Sequence, residues 1–193
     1  MKEVLFVDCC VRREKSRTRQ VARAFLDALD PVRFRVTAVD PEREGMQPLL
    51  GEFFSAREEL LARGALDHPR FRFARQFAAA GVVVIAAPFW DLSFPAILKI
   101  YIENISVDGI TFAAEGAGLR GLCRGSHLIF LTTRGGYFHG SPLEQGSRYL
   151  EALKDFFGFG AYACVAGDGM DVGDPAAVLA RACREARALA RTL

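Results

Sequence analysis

Cysteine and histidine are scarce in this sequence, and their spacing matches no common metal site. Its 193 residues contain five cysteines and three histidines, and no two cysteines form a CxxC pair. An odd number of scattered cysteines argues against a disulfide framework or a zinc ribbon and fits a reducing compartment. No metal site is predicted, because the histidines lack metal-ligand spacing. The cysteines are Cys9, Cys10, Cys123, Cys164 and Cys183, and the histidines are His68, His127 and His139.

Long hydrophobic runs and extreme charge are also missing. The longest apolar stretch, about residues 77–90, is shorter than the roughly 20 residues that cross a bilayer. The net charge is +2, which gives no signal for nucleic acid or for a membrane surface. Glu3 and Asp8 flank an apolar strand near the N-terminus, a pattern unlike that of a signal peptide. These features predict a cytoplasmic protein.

The hydrophobic residues that are present follow an alternating strand and helix pattern. They make up 51% of the chain, enough for a sizeable core, and the length suits a single domain over residues 1–193. Strand-like runs alternate with helix-like segments five times, which predicts a parallel sheet with helices on both faces. The run at 82–87 has no polar alternation, as expected for a strand buried on both faces. Right-handed crossovers favour a doubly wound α/β fold with five strands in the order 2-1-3-4-5.

The predicted element boundaries follow from periodicity and from the positions of proline and glycine. The predicted strands cover residues 3–8, 33–39, 82–87, 126–132 and 160–165. The predicted helices cover residues 17–30, 51–64, 69–79, about 93–106 and 147–157, and a last helix begins at Asp174-Pro175. Ligands of such sheets bind at the carboxyl ends of the strands near the switch point, so we expect a site in the loops after strands 1, 3 and 4.

The first of these loops reads D-C-C-V-R-R-E-K-S-R-T over residues 8–18. A helix N-terminus there offers free backbone N–H groups, and Ser16 and Thr18 add hydroxyl groups. Such a turn suits a phosphate, although it lacks the glycine-rich Walker and dinucleotide motifs. The alternative is a solvated basic loop in which Ser16 caps the helix. The basic residues of this loop are Arg12, Arg13, Lys15 and Arg17.

Asp8, Cys9 and Cys10 leave part of the chemistry of this loop open. The Asp8 carboxylate would repel an anion if it pointed inward, and it would be harmless if it faced away at the strand end. Cys9 and Cys10 could form a reactive pair, because thiol pKa values tend to fall at a helix N-terminus. The favoured interpretation is that both are buried structural cysteines.

The second and third loops carry aromatic residues and paired glycines. Residues 88–95 read P-F-W-D-L-S-F-P and place the single tryptophan at the sheet edge. Large aromatic side chains there suit stacking on a planar heterocycle, or else they cover the core or form an interface. Residues 132–140 read T-T-R-G-G-Y-F-H-G. Two adjacent glycines let backbone N–H groups approach a ligand closely, unless they form an ordinary flexible turn.

A further motif, G-A-G-L-R-G at residues 116–121, spells GxGxxG but lacks the required context. It follows no long strand and opens no helix, so we predict a loop rather than a dinucleotide-binding turn. The G-x-S-x-G elbow of hydrolases is also missing.

The three loops resemble those of the flavodoxin-like NAD(P)H dehydrogenases, the group that contains FMN-dependent NADH-azoreductases and quinone reductases. The run A-P-F-W-D-L-S-F-P-A-I-L-K-I-Y-I-E-N-I at 87–105 is similar to the family pattern A-P-[MF]-[YW]-N-x-x-x-P-x-x-L-K-x-Y-x-D. T-T-R-G-G-Y-F at 132–138 is similar to the family's T-S-R-G-G, and G-I-T-F at 109–112 also matches. Ser16 and Thr18 follow the first strand as in the family. The resemblance covers nearly the whole chain and implies a tightly bound FMN and a homodimer with two sites at its interface.

The resemblance also implies roles for individual residues. Ser16 and Thr18 would bind the FMN phosphate, together with loop backbone around Cys9. Residues 89–92 would line the isoalloxazine ring, and Thr133, Gly135 and Gly136 would contact its pyrimidine edge. The complete predicted cofactor-binding set is Cys9, Ser16, Arg17, Thr18, Pro88, Phe89, Trp90, Asp91, Leu92, Thr133, Arg134, Gly135, Gly136 and Phe138.

Four positions depart from the family pattern. Cys9 stands where the family often has serine, and Asp91 replaces the usual asparagine, so both bear on FMN affinity. Ala114 falls where some members place an aromatic residue over the pocket, and Phe138 falls where some have histidine. These two bear on the choice of acceptor.

The implied reaction is a two-step hydride transfer from NADH or NADPH, through the flavin N5, to a quinone or an azo compound. Backbone N–H groups near Gly135 and Gly136, with Arg134 if it points inward, would stabilise negative charge on the reduced ring. Tyr137 and His139 are candidate proton donors, although an exposed loop histidine is more often just solvated. The alternative is a non-catalytic module of the same fold, either an electron carrier or a protein that binds FMN weakly or has lost it.

Overall fold

The computed structural model of this chain describes residues 1–116 and 118–193. Its strands are β1 (Lys2–Asp8), β2 (Phe34–Val39), β3 (Val82–Ala86), β4 (Phe112–Glu115), β5 (Gly118–Gly121), β6 (His127–Arg134) and β7 (Ala161–Asp168). Its α-helices are α1 (Arg17–Leu26), α2 (Gly51–Ala62), α3 (Arg72–Ala79), α4 (Ala96–Ile105), α5 (Gly146–Phe157) and α6 (Pro175–Ala190), with 3-10 turns at Arg13–Lys15 and Pro69–Phe71. Within the described ranges, none of the helices has the length and apolar character needed to span a membrane.

Five strands form a parallel sheet in the order β2-β1-β3-β6-β7. Counted along the sheet strands this order is 2-1-3-4-5, so the predicted doubly wound α/β fold of flavodoxin type is confirmed. The register aligns Val4 with Val82 and Val82 with His127. The carboxyl ends of the central strands therefore meet at one edge of the sheet.

Alternate residues along each strand face two different apolar layers. Leu5 and Val83 pack in the layer that α3, α4 and α5 cover, whereas Val4 and Val84 pack in the layer that α1 and α6 cover. Each residue of β3 is buried. This two-sided burial explains why the run has no polar alternation, as predicted.

Three predicted helix boundaries were wrong for local reasons. The first helix ends at Leu26 rather than at residue 30. The N–H groups of residues 28 and 29 donate to carbonyls three positions earlier, as in a turn, and not to carbonyls four positions earlier, as in an α-helix. The helix predicted from residue 93 begins at Ala96, because Trp90 and Ser93 close a tight turn with each other. The segment 69–79 divides into a 3-10 turn followed by α3.

The hairpin of β4 and β5 was not predicted. The segment 116–121 was expected to be a loop; its Ala117 lies outside the described residues, and the four residues that follow form β5, antiparallel to β4. The two strands have only four residues each, and β5 contains two glycines, so the sequence shows no strand periodicity there. Contacts with other parts of the fold therefore decide the structure of this segment. The Phe112 ring of β4 packs against the Phe156 ring of α5, with centroids 4.8 Å apart.

Gly121 allows β5 to lie directly on the end of α5. A Cβ atom at Gly121 would lie 2.2 Å from the Phe157 carbonyl carbon and from the Gly158 nitrogen. We expect Gly121→Ala to lower the free energy of unfolding by about 1–3 kcal/mol through overpacking, measured by chemical denaturation. Gly118→Ala in the same strand is the control, because its nearest neighbour would be 3.7 Å away. Equal stability of the two variants would contradict the packing of this hairpin on α5.

Candidate functional site

A cleft of about 230 Å³ lies at the edge where β1, β3, β6 and β7 end. Its lining residues are Arg12, Lys15, Ser16, Arg17, Thr18, Pro88, Phe89, Trp90, Thr133, Arg134, Gly135, Met170 and Asp171. The three loops expected at this edge do converge, and the loop after β7 joins them. The volume is below the roughly 300–1,000 Å³ of most ligand pockets, so one chain would enclose only part of a flavin.

The loop after β1 presents the N-terminus of α1 to the cleft. The Ser16 Oγ accepts the Arg19 N–H at 3.2 Å, so the interpretation of Ser16 as the helix cap is confirmed. Since Oγ is the acceptor in that bond, the hydroxyl hydrogen can still be donated to an anion. The N–H groups of Arg17 and Thr18 lie in the first helical turn, where no intrahelical acceptor exists. The Thr18 Oγ1 is 2.6 Å from the Thr133 Oγ1, which joins this loop to β6.

The basic residues of this loop divide between the cleft and the loop after β2. Arg12 and Lys15 line the cleft, and neither forms an ion pair within the described parts of the chain. Arg13 instead turns away and pairs with Asp40 and Glu42, so its charge does not contribute to the cleft as the sequence suggested. Two uncompensated cations beside a helix N-terminus favour an anionic group such as a phosphate.

Asp8 faces away from the cleft, although it ends β1 directly below the basic loop. Its Oδ2 lies 3.0 Å from the Arg19 Nε, and its Oδ1 accepts the Cys10 N–H at 3.0 Å. The carboxylate is therefore compensated at the strand end. Asp8 does not oppose an anion bound in the cleft.

Cys9 and Cys10 are buried free thiols. Burial raises the pKa of both thiols, and the neighbouring Asp8 carboxylate raises them further. These thiols therefore stay protonated at neutral pH, and their interpretation as buried structural cysteines is confirmed. Cys9 would reach a ligand only through its backbone.

The loop after β3 is a tight turn that places Trp90 at the mouth of the cleft. The Trp90 N–H donates to the Ser93 carbonyl at 3.2 Å, and the Ser93 N–H donates to the Trp90 carbonyl at 2.7 Å. Asp91 and Leu92 between them have φ values of 48° and 66°, the geometry of a type I′ turn. A leucine in that conformation costs about 1–3 kcal/mol, so its surroundings must hold it. One such contact is the bond from the Gln145 N–H to the Leu92 carbonyl at 2.9 Å.

Phe89 and Trp90 form an aromatic wall of the cleft. The Phe89 ring is half-buried and its centroid is 4.6 Å from that of Phe138. Trp90 is 41% exposed, so it does not cover the core. Two adjacent aromatic side chains with free surface suit contact with a planar ring. Phe138 supports this wall from behind and lies outside the cleft lining, as do Gly136 and the turn residues Asp91 and Leu92.

Arg134 ends β6 and is buried between two carboxylates. Its guanidinium lies 3.0 Å from the Asp168 Oδ1 and 3.3 Å from the Glu144 Oε1. The Asp168 Oδ2 also accepts the Phe138 N–H at 3.0 Å and the His139 N–H at 2.6 Å, which fixes the loop after β6. The charge of Arg134 is thus compensated inside the protein. Its Nε–H is buried and has no hydrogen-bond partner among the described residues.

Tyr137 and His139, the candidate proton donors, lie outside the cleft lining. Tyr137 is 71% exposed, and its ring packs over the loop after β7, where a Cβ at Gly169 would lie 2.5 Å from its Cε1. His139 is exposed. The proton-donor roles therefore stay predictions.

Four lining residues were missing from the predicted cofactor-binding set. Arg12 and Lys15 had been recognised as charges but not as part of that set. Met170 and Asp171 lie in the loop after β7, outside the three loops predicted to form the site. The rule that placed the other loops at the site applies equally to this one, because β7 is parallel to its neighbours and ends at the same edge.

We expect Asp168→Ala to lower the free energy of unfolding by about 2–4 kcal/mol, measured by chemical denaturation. The substitution would leave Arg134 with one carboxylate and would remove the acceptor of two backbone N–H groups. Asp155→Ala is the control, because Asp155 is exposed and pairs only with Lys154. A loss for Asp168→Ala no larger than for Asp155→Ala would contradict the anchoring role.

The sheet order and the position of the cleft at the carboxyl ends of the strands are those of a flavodoxin-like protein. A family model described as a flavodoxin-like fold matches residues 2–190. The FMN-dependent NADH:quinone oxidoreductase of Clostridium perfringens is 35% identical over 179 residues, which cover 89% of this chain and 88% of that protein. The FMN-dependent NADH:quinone oxidoreductase 2 of Clostridium acetobutylicum is 35% identical over 178 residues, with the same coverage. The chain belongs to the flavodoxin-like NAD(P)H dehydrogenase family that contains these quinone oxidoreductases.

A solved structure supports the fold at lower sequence similarity. The FMN-dependent NADH-azoreductase of Bacillus anthracis, solved in complex with FMN, superposes with a TM-score of 0.88 at 21% identity. The match covers 100% of this chain and 99% of that one. The backbone described above is therefore similar to that of an FMN-binding protein over its whole length.

Proposed function

We propose that this protein is an FMN-dependent NADH:quinone oxidoreductase that also accepts flat acceptors such as azo compounds. The observation that carries the proposal is the difference in polarity between the two ends of the cleft at the switch point. One end offers the Ser16 hydroxyl, two free N–H groups and the uncompensated charges of Arg12 and Lys15. The other end offers the aromatic wall of Phe89 and Trp90. The relatives that are 35% identical carry this activity in their names, which supports the assignment.

The donors and apolar surfaces of the cleft fit FMN. The phosphate would bind at the Ser16 hydroxyl and at the first N–H groups of α1, with Arg12 and Lys15 beside it. The isoalloxazine ring would lie against the aromatic wall. Thr133 and Gly135 would contact its pyrimidine edge. The remaining predicted contacts, at Asp91, Leu92, Gly136 and Phe138, would come from outside the enclosed part of the cleft, and Cys9 would contribute backbone alone.

The protein's own part in the reaction is to bind, orient and compensate charge. Bound FMN would supply the hydride chemistry, from NADH to its N5 atom and from there to the acceptor. The backbone N–H group of Gly135 would stabilise negative charge at the pyrimidine edge of the ring, because its position is fixed before the reaction begins. Arg134 would act chiefly as a hydrogen-bond donor, since two carboxylates already compensate its charge.

We expect purified protein to keep a flavin absorption spectrum after FMN is added and free FMN is removed. With oxygen excluded, the FMN-loaded protein should then oxidise NADH catalytically only when a quinone such as menadione is present. Bound FMN without turnover would contradict the reductase and leave the non-catalytic module of the same fold. Asp8 pairs with Arg19 and the Cys9 thiol lies in the core, which supports FMN binding, whereas Asp91 in place of asparagine still bears on its affinity.

The charged end of the cleft is tested by removing two cations. We expect Arg12→Gln combined with Lys15→Gln to weaken FMN binding by about tenfold, through loss of two charge-assisted contacts to phosphate. Flavin fluorescence measures the affinity. Arg184→Gln combined with Arg191→Gln removes the same charge from α6 and from the residue that follows it, and should leave the affinity unchanged. An equal effect of both pairs would show that net charge alone matters and would contradict the phosphate site.

The small volume of the cleft is also relevant to the oligomeric state of the protein. We propose a homodimer in which a second copy completes each site, because one chain encloses too little space for a whole flavin. Large apolar side chains surround the mouth on the loops after β3 and β6, which suits an interface. They are Trp90, Leu92, Tyr137 and Leu143, exposed by 41%, 41%, 71% and 54%. A cytoplasmic location also stays a prediction, supported by the five free cysteines.

We expect sedimentation equilibrium at micromolar concentration to give twice the chain mass. Leu143→Glu should shift the protein towards the monomer, because it places a charge among apolar contacts. Val32→Glu is the matched control, since Val32 is 81% exposed and lies before β2 at the opposite edge of the sheet. A monomeric wild-type protein would refute the dimer, and equal effects of both variants would place the interface elsewhere.

A further inference from the structure

An ion pair spans the cleft between the loop after β1 and the loop after β7. The Arg17 guanidinium donates to the Asp171 Oδ1 at 2.8 Å and to the Met170 carbonyl at 2.8 Å. All three residues line the cleft. The guanidinium is therefore turned towards the β7 loop, although it belongs to the first turn of the helix where the phosphate would bind.

Asp171 is held in this place by the backbone of the neighbouring loop. Its N–H donates to the Gly135 carbonyl at 2.9 Å, and the Met170 N–H donates to the Arg134 carbonyl at 3.0 Å. The carboxylate lies over Gly135, where an added Cβ would be 2.5 Å from the Asp171 Oδ2. The backbone that carries Asp171 is thus anchored to the end of β6, while the Asp171 side chain is 63% exposed.

Asp171 is the single acidic side chain among the described residues that line the cleft. Its charge opposes the charges of Arg12 and Lys15, which would otherwise act on a bound anion without opposition. It also occupies the guanidinium of Arg17, the third cation at this end of the cleft. A phosphate that binds at the N-terminus of α1 must therefore compete with a carboxylate of the protein itself.

We propose that Asp171 is an internal competitor of the FMN phosphate for Arg17 and thereby lowers the affinity of the site for its cofactor. This inference rests on the proposed function. The competition acts on the phosphate alone, because Arg17 is the group that both anions share. Any effect of the Asp171 charge on the ring beside Gly135 is common to FMN and riboflavin, which has the same ring and ribityl chain without the phosphate. Removal of that charge should therefore strengthen FMN binding more than riboflavin binding.

The test compares FMN and riboflavin binding to wild-type protein and to Asp171→Asn, by titration of flavin fluorescence. Asparagine keeps the size of the side chain and an oxygen for Arg17 but removes the charge. We expect Asp171→Asn to bind FMN about fivefold more tightly, the effect of one exposed charge pair, and to gain clearly less affinity for riboflavin. Asp155→Asn makes the same charge change at an exposed position of α5 and should alter neither affinity.

Arg17→Gln separates competition from simple repulsion. If Asp171 acts by occupying Arg17, then Asp171→Asn should gain little FMN affinity in the Arg17→Gln background. Unchanged or weaker FMN binding by Asp171→Asn would overturn the inference while leaving the proposed function intact, and so would an equal gain for riboflavin. Failure of the wild-type protein to bind FMN would overturn the proposed function itself.

Discussion

Backbone hydrogen bonds that continue past the ends of the parallel strands hold the cleft together. They run from the Cys9 N–H to the Ala86 carbonyl at 2.8 Å, from the Phe89 N–H to the Thr133 carbonyl at 3.1 Å, and from the Met170 N–H to the Arg134 carbonyl at 3.0 Å. Each bond ties the first residues of one loop to a neighbouring strand or its end. The four loops therefore have fixed relative positions before any ligand binds, and the arrangement of every lining side chain depends on them.

The electrostatic charge of the cleft depends on which of the nearby charged side chains form ion pairs outside it. Arg13 pairs with carboxylates beyond β2, Asp8 pairs with Arg19, and Arg134 lies between two buried acids. Arg12 and Lys15 keep their charges uncompensated at the N-terminus of α1, so the positive potential is concentrated at one end of the cleft. A polar end next to an aromatic wall is what a phosphorylated planar cofactor requires.

Features with a strong local signal were predictable from the sequence. The all-apolar run of β3 indicated a strand buried on both faces, and Asp174-Pro175 marked the start of α6, where the Asp174 Oδ1 accepts the Ala176 N–H at 2.9 Å. Gly158 ends α5 with a φ of 90°, as the sequence indicated. These elements, together with the rule for parallel sheets, suffice to place three of the four loops of the cleft.

Features that depend on contacts distant in sequence could not be predicted. The composition of the first loop indicated positive charge, but Asp40 and Glu42 in the loop after β2 turn Arg13 away from the cleft. The β4–β5 hairpin exists because Gly121 lies on the end of α5, a contact that leaves no periodic pattern in the sequence. Asp171 is separated from Arg17 by most of the chain, so their pairing becomes evident only when β7 is placed at the sheet edge.

The most direct test of this account is a crystal structure of the protein with FMN. The account predicts the phosphate within hydrogen-bond distance of the Ser16 hydroxyl and of the Arg17 and Thr18 N–H groups, with the ring against Phe89 and Trp90. A phosphate bound away from the N-terminus of α1, or a flavin bound outside this cleft, would contradict it.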